Sequence, residues 1–169
     1  KILILNTGGT ISMSEDQKTG KVAPTDSNPI GVGGNIFSYI GDLHVEDLYH
    51  LASPQITQNK MLGIKNRINK AVQEGYDGVV VTHGTDTLEE TAYYLELTLD
   101  VNIPIVITGA MRSSNEIGAD GLANLRSSLV VATDDESSDK GVLVVMNDEV
   151  HTATYVTKTH TTNVATFQT

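Results

Sequence analysis

The chain has 169 residues, 21 acidic and 11 basic side chains, a formal net charge of −10, and neither cysteine nor tryptophan. The missing cysteine excludes a disulfide scaffold, a zinc finger and a thiol nucleophile. The acidic balance argues against nucleic acid or an anionic membrane surface as the main partner, because both attract basic patches. Every apolar run is far shorter than the ~20 residues that span a bilayer. We therefore expect one soluble, acidic, globular domain.

Short apolar runs alternate along the chain with stretches of helical periodicity. The runs are rich in β-branched residues and lack polar alternation, which indicates strands that are buried on both faces. They comprise residues 2–5, 79–81, 105–107 and 142–145. Such an alternation is typical of a parallel sheet wrapped by helices.

Three amphipathic stretches separate these runs, with apolar residues at steps of three and four. Their apolar positions are Met61, Ile64, Ile68 and Ala71, then Leu88, Ala92, Leu95 and Leu99, then Leu122, Leu125, Leu129 and Ala132. The sequence therefore predicts an α/β fold with a mostly parallel, doubly wound sheet flanked by helices.

The segment from Asp16 to Tyr49 is rich in glycine and proline and has little periodicity. A loop of this length inside a compact domain is uncommon and usually functional, such as a flap over a site. A surface excursion without function is an equal alternative on composition alone. We predict a long flap loop after the first strand.

The ends of the predicted strands carry small and hydroxyl residues, and threonine is abundant, with 20 in the chain. The first three runs are followed by TGGT (7–10), THGTDT (82–87) and TGAMR (108–112). Ligands of open α/β sheets bind outside the carboxyl ends of the strands. Glycine at these positions lets the backbone approach a ligand and offer its N–H groups. The pattern predicts a site for a small polar molecule.

Other sites are disfavoured by spacing. The TGGT segment lacks the length and the lysine of a phosphate-binding P-loop, and no G-x-G-x-x-G follows a strand. The five histidines show no helical pairing typical of zinc, and no G-x-S-x-G is present. We therefore expect neither a metal site nor a dinucleotide site, and we interpret His83 as a buried packing residue that hydrogen-bonds backbone.

Threonine is a weak nucleophile and needs a base or a proton path. A lysine can provide the path, and an acidic side chain can hold the lysine in place. Thr85, Asp86 and Lys158 supply these groups, and Thr10 supplies a second hydroxyl. The alternative is that these threonines are only turn and cap residues.

Four segments together resemble the bacterial-type L-asparaginase family. Residues 4–12 and 78–88 are similar to its two signatures, and residues 108–112 and 156–159 are similar to its third and fourth blocks. The blocks occur in the family's order and extend from the first strand to Lys158. The resemblance therefore covers nearly the whole chain.

The resemblance implies an amidohydrolase that converts L-asparagine to L-aspartate and ammonia without a cofactor, with L-glutamine as a second substrate. It implies that Thr10 is the nucleophile and forms an acyl-enzyme. Thr85, Asp86 and Lys158 would form a second, proton-shuttling set. Backbone N–H groups near Thr10 and Thr85 would hold the oxyanion.

The same resemblance assigns the substrate-binding residues. Ser53 would bind the α-carboxylate, Asp86 the substrate ammonium and the carbonyl of Ala110 the leaving nitrogen, and Gly84 belongs to the same set. Two departures concern this part of the site. No tyrosine occurs between Ile11 and Lys21, where many members carry one on the flap, and Pro54 follows Ser53 where the family has Gln or Glu. Gln55 is the candidate substitute.

Family members are about twice as long and carry a second, C-terminal domain that completes a neighbour's site. The resemblance therefore implies that residues 1–169 are the N-terminal catalytic α/β domain, that the C-terminal domain is absent from this chain, and that the protein is a homodimer or homotetramer. A cytoplasmic location is favoured, and a secreted or periplasmic one is left open. The alternatives are an ammonia-releasing amidotransferase subunit of the same fold and an inactive binding fragment.

Overall fold

The computed structural model describes residues 1–15, 22–24, 36–154, 156–158 and 167–168. Its helices are α1 (Gln58–Gln73), α2 (Leu88–Thr98) and α3 (Gly121–Ala132). Its strands are β1 (Ile2–Gly8), β2 (Met13–Glu15), β3 (Val22–Pro24), β4 (Leu43–Leu51), β5 (Gly78–Thr82), β6 (Ile105–Thr108), β7 (Val142–Met146), β8 (Glu149–Thr152), β9 (Thr157–Lys158) and β10 (Phe167–Gln168). Short 3-10 helices cover Thr10–Ser12, Ser38–Ile40, Ser53–Gln55 and Asp135–Asp139.

Six strands form the central sheet in the order β4-β1-β5-β6-β7-β8. All neighbouring pairs are parallel except β7 and β8, which are antiparallel and joined by a two-residue turn at Asn147 and Asp148. The other strands form the antiparallel pairs β2–β3 and β9–β10. The predicted mostly parallel α/β sheet is confirmed.

The core has two layers because successive residues of a buried strand point to opposite faces of the sheet. On one face, Leu3, Leu5 and Val81 pack with the apolar sides of α1 and α2. On the other face, Ile4 and Val80 pack against α3. Each large aliphatic side chain buried in this way contributes about 1.5–3 kcal/mol, so both helical layers hold the sheet in place.

The three predicted helices are confirmed, and most of their apolar positions are buried. Leu122 is an exception, since 42% of it is exposed in the first turn of α3. Thr57 caps α1 by accepting a hydrogen bond from the backbone nitrogen of Lys60. No helix in the described part of the chain is long and apolar enough to cross a membrane.

The prediction of a loop from Asp16 to Tyr49 is wrong for its last part. Leu43–Leu51 forms the edge strand β4, which pairs in parallel with β1. Its charged side chains and partial exposure explain why no buried run was visible: Glu46 binds Arg67 of α1, and Asp47 accepts a hydrogen bond from Asn6. Residues 16–21 and 25–35 of the predicted flap lie outside the described residues.

Candidate active site

The loops that follow β1 and β5 touch through two glycines. A Cβ atom built on Gly9 would lie 2.4 Å from both the Cα and the amide nitrogen of Gly84. Gly9 also has a φ of +83°, a backbone conformation that residues other than glycine rarely adopt. This contact places Thr10 and Thr85, which directly follow the two glycines, on adjoining loops at the carboxyl edge of the sheet.

A buried asparagine holds the loop after β1. The Oδ1 atom of Asn6 accepts hydrogen bonds of 3.0 Å from the backbone nitrogen of Gly8 and from the Thr82 hydroxyl. Its Nδ2 atom donates to Asp47 of β4 at 2.8 Å. One side chain thus links three neighbouring strands at the point where the β1–β4 register shifts. These hydrogen bonds therefore fix the position of the first residues of the loop that carries Thr10.

Lys158 joins two residues of the loop after β5. Its Nζ atom donates to the Thr85 hydroxyl at 3.0 Å and to Asp86 Oδ1 at 2.7 Å. Only 10% of the lysine side chain is exposed, whereas 61% of the Asp86 side chain is. The backbone nitrogen of Lys158 donates to the carboxylate of Glu89 in α2 at 2.6 Å. The structure brings together all three residues of the predicted proton-shuttling set.

His83 is fully buried between these elements. Its Nδ1 atom lies 2.7 Å from the carbonyl oxygen of Gly84, and its Nε2 atom lies 2.9 Å from the Thr91 hydroxyl. Since a carbonyl can only accept, Nδ1 carries the proton and Nε2 accepts from Thr91. Burial lowers the pKa of His83 to about 4. The prediction of a buried packing histidine that hydrogen-bonds backbone is confirmed.

The loop after β6 reaches the same place. A Cβ on Gly109 would lie 2.5 Å from the carbonyl oxygen of His83 and 3.2 Å from the Thr85 methyl group. Ala110 is buried next to it. Ala110 is therefore one residue away from a close contact with the Thr85 loop.

The short turn Ser53–Gln55 follows β4, whose last residue, Leu51, accepts a 3.0 Å hydrogen bond from the backbone nitrogen of Gly9. The exposed Gln55 uses its side-chain oxygen to accept from the backbone nitrogen of Ala52 at 3.1 Å. Gln55 thus stabilises its own turn. The position of the Ser53 side chain lies outside what the structure describes.

Four polar residues that bear on this site were not identified from the sequence: Asn6, Glu89, Asp120 and Asn124. Asn6 had a visible signal, since it is the polar residue that directly follows the apolar run of residues 2–5. Glu89 and Asp120 lie in helical or loop sequence, and only the fold shows that they hold backbone nitrogens near the site. Among the described residues, no group of three or more histidine or carboxylate side chains is placed to hold a metal ion.

Comparison with known proteins identifies the family of this chain. The family model described as Asparaginase, N-terminal matches residues 1–169. L-asparaginase 2 of Bacillus subtilis (strain 168) is 42% identical over 99% of the chain and 46% of its own length. A glutaminase-asparaginase of Pseudomonas fluorescens biotype A is 36% identical over 93% of the chain and 45% of its own length.

The crystal structure of a probable cytoplasmic L-asparaginase from Campylobacter jejuni superposes with a TM-score of 0.91 at 38% identity, over 99% of this chain and 52% of that one. The chain thus spans about half the length of the relatives it matches. The family model covers residues 1–169, and the relatives named here cover 93–99% of the chain. The chain belongs to the asparaginase family.

Proposed function

We propose that the protein containing this chain hydrolyses L-asparagine to L-aspartate and ammonia, with Thr10 as the nucleophile. The observation that carries the proposal is the contact of Lys158 with Thr85 and Asp86, beside the loop of Thr10. It brings an amine, a carboxylate and two hydroxyl-bearing loops together at one edge of the sheet. The names of the relatives, L-asparaginase and glutaminase-asparaginase, support the same chemistry.

In the first half of the reaction, the Thr10 oxygen attacks the side-chain amide carbon of asparagine. The new C–O bond converts the carbonyl into an oxyanion, which backbone N–H groups near Thr10 and Thr85 stabilise. The hydroxyl proton leaves Thr10 and is delivered to the amide nitrogen. The C–N bond then breaks, ammonia leaves, and an aspartyl ester of Thr10 remains.

In the second half, water attacks the carbonyl carbon of that ester. Thr85 accepts a proton from the water and passes its own hydroxyl proton to the Nζ atom of Lys158, 3.0 Å away, which acts in its neutral amine form. Asp86 keeps the amine in place through the 2.7 Å hydrogen bond from Nζ to Oδ1. The ester C–O bond breaks, the proton returns to the Thr10 oxygen, and aspartate leaves.

The remaining site residues hold the substrate. Asp86 is largely exposed and meets the substrate ammonium, and Ser53 and Gln55, in the turn after β4, are proposed for the α-carboxylate. The Ala110 carbonyl accepts from the leaving nitrogen. One extra methylene separates glutamine from asparagine, and such a difference is worth only ~1–3 kcal/mol in a pocket, so we include glutamine as a slower substrate.

We further propose that these residues form the N-terminal catalytic domain of a longer, two-domain subunit that works as a homodimer or homotetramer. The chain matches about half of each relative, which supports a second domain in the whole protein. A cytoplasmic location is proposed by analogy with the Campylobacter jejuni protein.

The test is ammonia release by the whole protein from asparagine and glutamine, measured side by side. We expect Thr10→Ala to lose nearly all turnover while keeping its far-UV spectrum. Thr10→Ser should keep part of the turnover, and the control Thr133→Ala removes an exposed hydroxyl that bonds only its own helix end. Quenching the reaction and finding the aspartyl ester on another residue would refute Thr10 as nucleophile.

A further inference from the structure

We propose that Asp120 and Asn124, at the start of α3, are positioning residues that direct and polarise the Ala110 carbonyl toward the leaving nitrogen. The inference rests on the proposed function, in which that carbonyl accepts a hydrogen bond from the substrate amide. Neither residue touches substrate in this scheme. Both act through the backbone on either side of Ala110.

Asp120 occupies the N-cap position of α3 but makes no side-chain capping bond. An N-cap aspartate ordinarily accepts from the first N–H groups of its own helix. Here Oδ1 accepts from the backbone nitrogen of Arg112 at 2.9 Å, and both carboxylate oxygens lie within 3.1 Å of the backbone nitrogen of Met111. The carboxylate therefore serves the loop after β6 in place of its own helix.

The contact with Met111 determines where the Ala110 carbonyl points. The N–H of Met111 and the C=O of Ala110 belong to one planar trans peptide unit and point in opposite directions. Because Asp120 holds the N–H, the carbonyl must point away from α3. A carboxylate on the N–H also polarises the peptide unit, which makes its oxygen a stronger acceptor.

Asn124 holds the preceding peptide unit. This buried side chain donates through Nδ2 to the Gly109 carbonyl at 3.0 Å and accepts through Oδ1 from the backbone nitrogen of Asn147 at 3.0 Å. Its Nδ2 also lies 3.2 Å from Asp120 Oδ2. The two side chains, one helical turn apart, thus fix the peptide units on both sides of Ala110.

The segment that Asp120 and Asn124 hold, Gly109 to Met111, lies against the proposed site on one side and against α3 on the other. Gly109 contacts the loop of Thr85 so closely that a Cβ would lie 3.2 Å from the Thr85 methyl group. A Cβ on Gly121, next to Asp120, would lie 3.5 Å from the Ala110 methyl. Rotation of the Ala110 peptide would therefore break contacts on both sides.

The leaving nitrogen is where such a carbonyl affects the rate. As the C–N bond breaks, this nitrogen gains a proton and positive charge, so an acceptor stabilises the transition state more than the bound substrate. An ester of the same acid loses an alcohol and offers no N–H to the carbonyl. Comparing asparagine with aspartate β-methyl ester therefore isolates the contribution of Ala110.

The experiment measures kcat/KM of the whole protein for asparagine and for aspartate β-methyl ester. The variants are Asp120→Asn and Asp120→Ser, because both residue types are good N-caps and preserve the start of α3. Both remove the negative charge from the Met111 N–H. We expect the amide-to-ester ratio of kcat/KM to fall about tenfold, the size of effect expected from weakening one charge-assisted hydrogen bond.

The matched control is Glu116→Gln. Glu116 lies in the same loop and accepts from the backbone nitrogen and hydroxyl of Ser113, and none of its hydrogen bonds in the described part of the chain goes to the Ala110 peptide. Its ratio should equal that of the wild-type protein. Because both substrates use the same active site, the ratio does not depend on how much of a variant is folded.

Equal loss on both substrates, or no loss on either, in the Asp120 variants would overturn the inference and leave the proposed function intact. A ratio that falls in Glu116→Gln as strongly as in the Asp120 variants would also overturn it. If the wild-type protein releases no ammonia from asparagine, the proposed function fails first, and this inference fails with it.

Discussion

Replacing Gly9 by alanine tests whether the contact between the loops after β1 and β5 sets the activity. The added methyl carbon would lie 2.4 Å from two backbone atoms of Gly84, while ordinary contacts begin at 3.4 Å. Neither loop offers a flexible side chain that could move aside. The two loops must therefore separate by about 1 Å, and a displacement of this size at reacting groups can cost ~100-fold in rate.

Gly75 is a matched control for the backbone strain of the substitution. It has a φ of +81°, close to the +83° of Gly9, but nothing lies within 4 Å of a Cβ built on it. Gly75 lies two residues beyond the last residue of α1, and its backbone nitrogen donates to the Val72 carbonyl. Alanine at either position costs about 1 kcal/mol for the positive φ. Only Gly9→Ala adds the overlap, worth a further ~1–3 kcal/mol.

The assay pairs urea unfolding with steady-state ammonia release from asparagine by the whole protein. We expect Gly75→Ala to lose about 1 kcal/mol of unfolding free energy and to keep wild-type turnover. Gly9→Ala should lose ~2–4 kcal/mol and about 100-fold in kcat. If the two variants have the same stability and the same kcat, the close approach of Gly9 to Gly84 does not position the nucleophile loop.

Three further predictions concern single side chains. Lys158→Met should lower kcat by ~10²–10⁴-fold without unfolding the protein, and the exposed Lys140→Met should leave ammonia release unchanged. Because burial lowers the pKa of His83 from 6.5 to about 4, the unfolded chain takes up a proton more readily. The free energy of unfolding should therefore fall by up to about 3 kcal/mol from pH 6.5 to 4, and His83→Gln should flatten this pH dependence in urea titrations. Asn6→Ala removes the acceptor of the buried Gly8 nitrogen and Thr82 hydroxyl. It should lower the free energy of unfolding by ~1–3 kcal/mol in the same titration and should also lower kcat.

The sheet and its helices could be predicted because their burial requires local patterns of apolar residues. A strand buried on both faces must be apolar throughout, and a helix on the sheet needs an apolar stripe, so Val79–Val81 and Ile64 with Ile68 were recognisable. The edge strand β4 has no such signature, because its outer side is exposed and Glu46 and Asp47 are paired with distant residues. Its register depends on β1, which no local pattern encodes.

The candidate site shows the same division. Residues at the ends of adjacent parallel strands must meet, so the proximity of Thr10 and Thr85 follows from the order of the motifs once the sheet is known. The contact of Lys158 with Thr85 joins residues 73 positions apart. The chemistry of the residues suggested this set and the family resemblance supported it, but no local pattern places Lys158 next to Thr85. The residues that hold the loops of the site could not be predicted from the sequence. An aspartate such as Asp120 before a helix looks like an ordinary N-cap until its hydrogen-bond partners are known.

The contacts around Lys158 explain how a residue from outside the six-stranded sheet can be placed accurately. Lys158 belongs to the short pair β9–β10, whose two residue pairs give it little backbone support. Its backbone nitrogen is instead held by Glu89, and its side chain by Thr85 and Asp86. All three partners lie in the loop after β5 or the first turn of α2. The proton-handling group therefore depends on one loop–helix unit, and the contact of Gly9 with Gly84 places the nucleophile loop against that same unit.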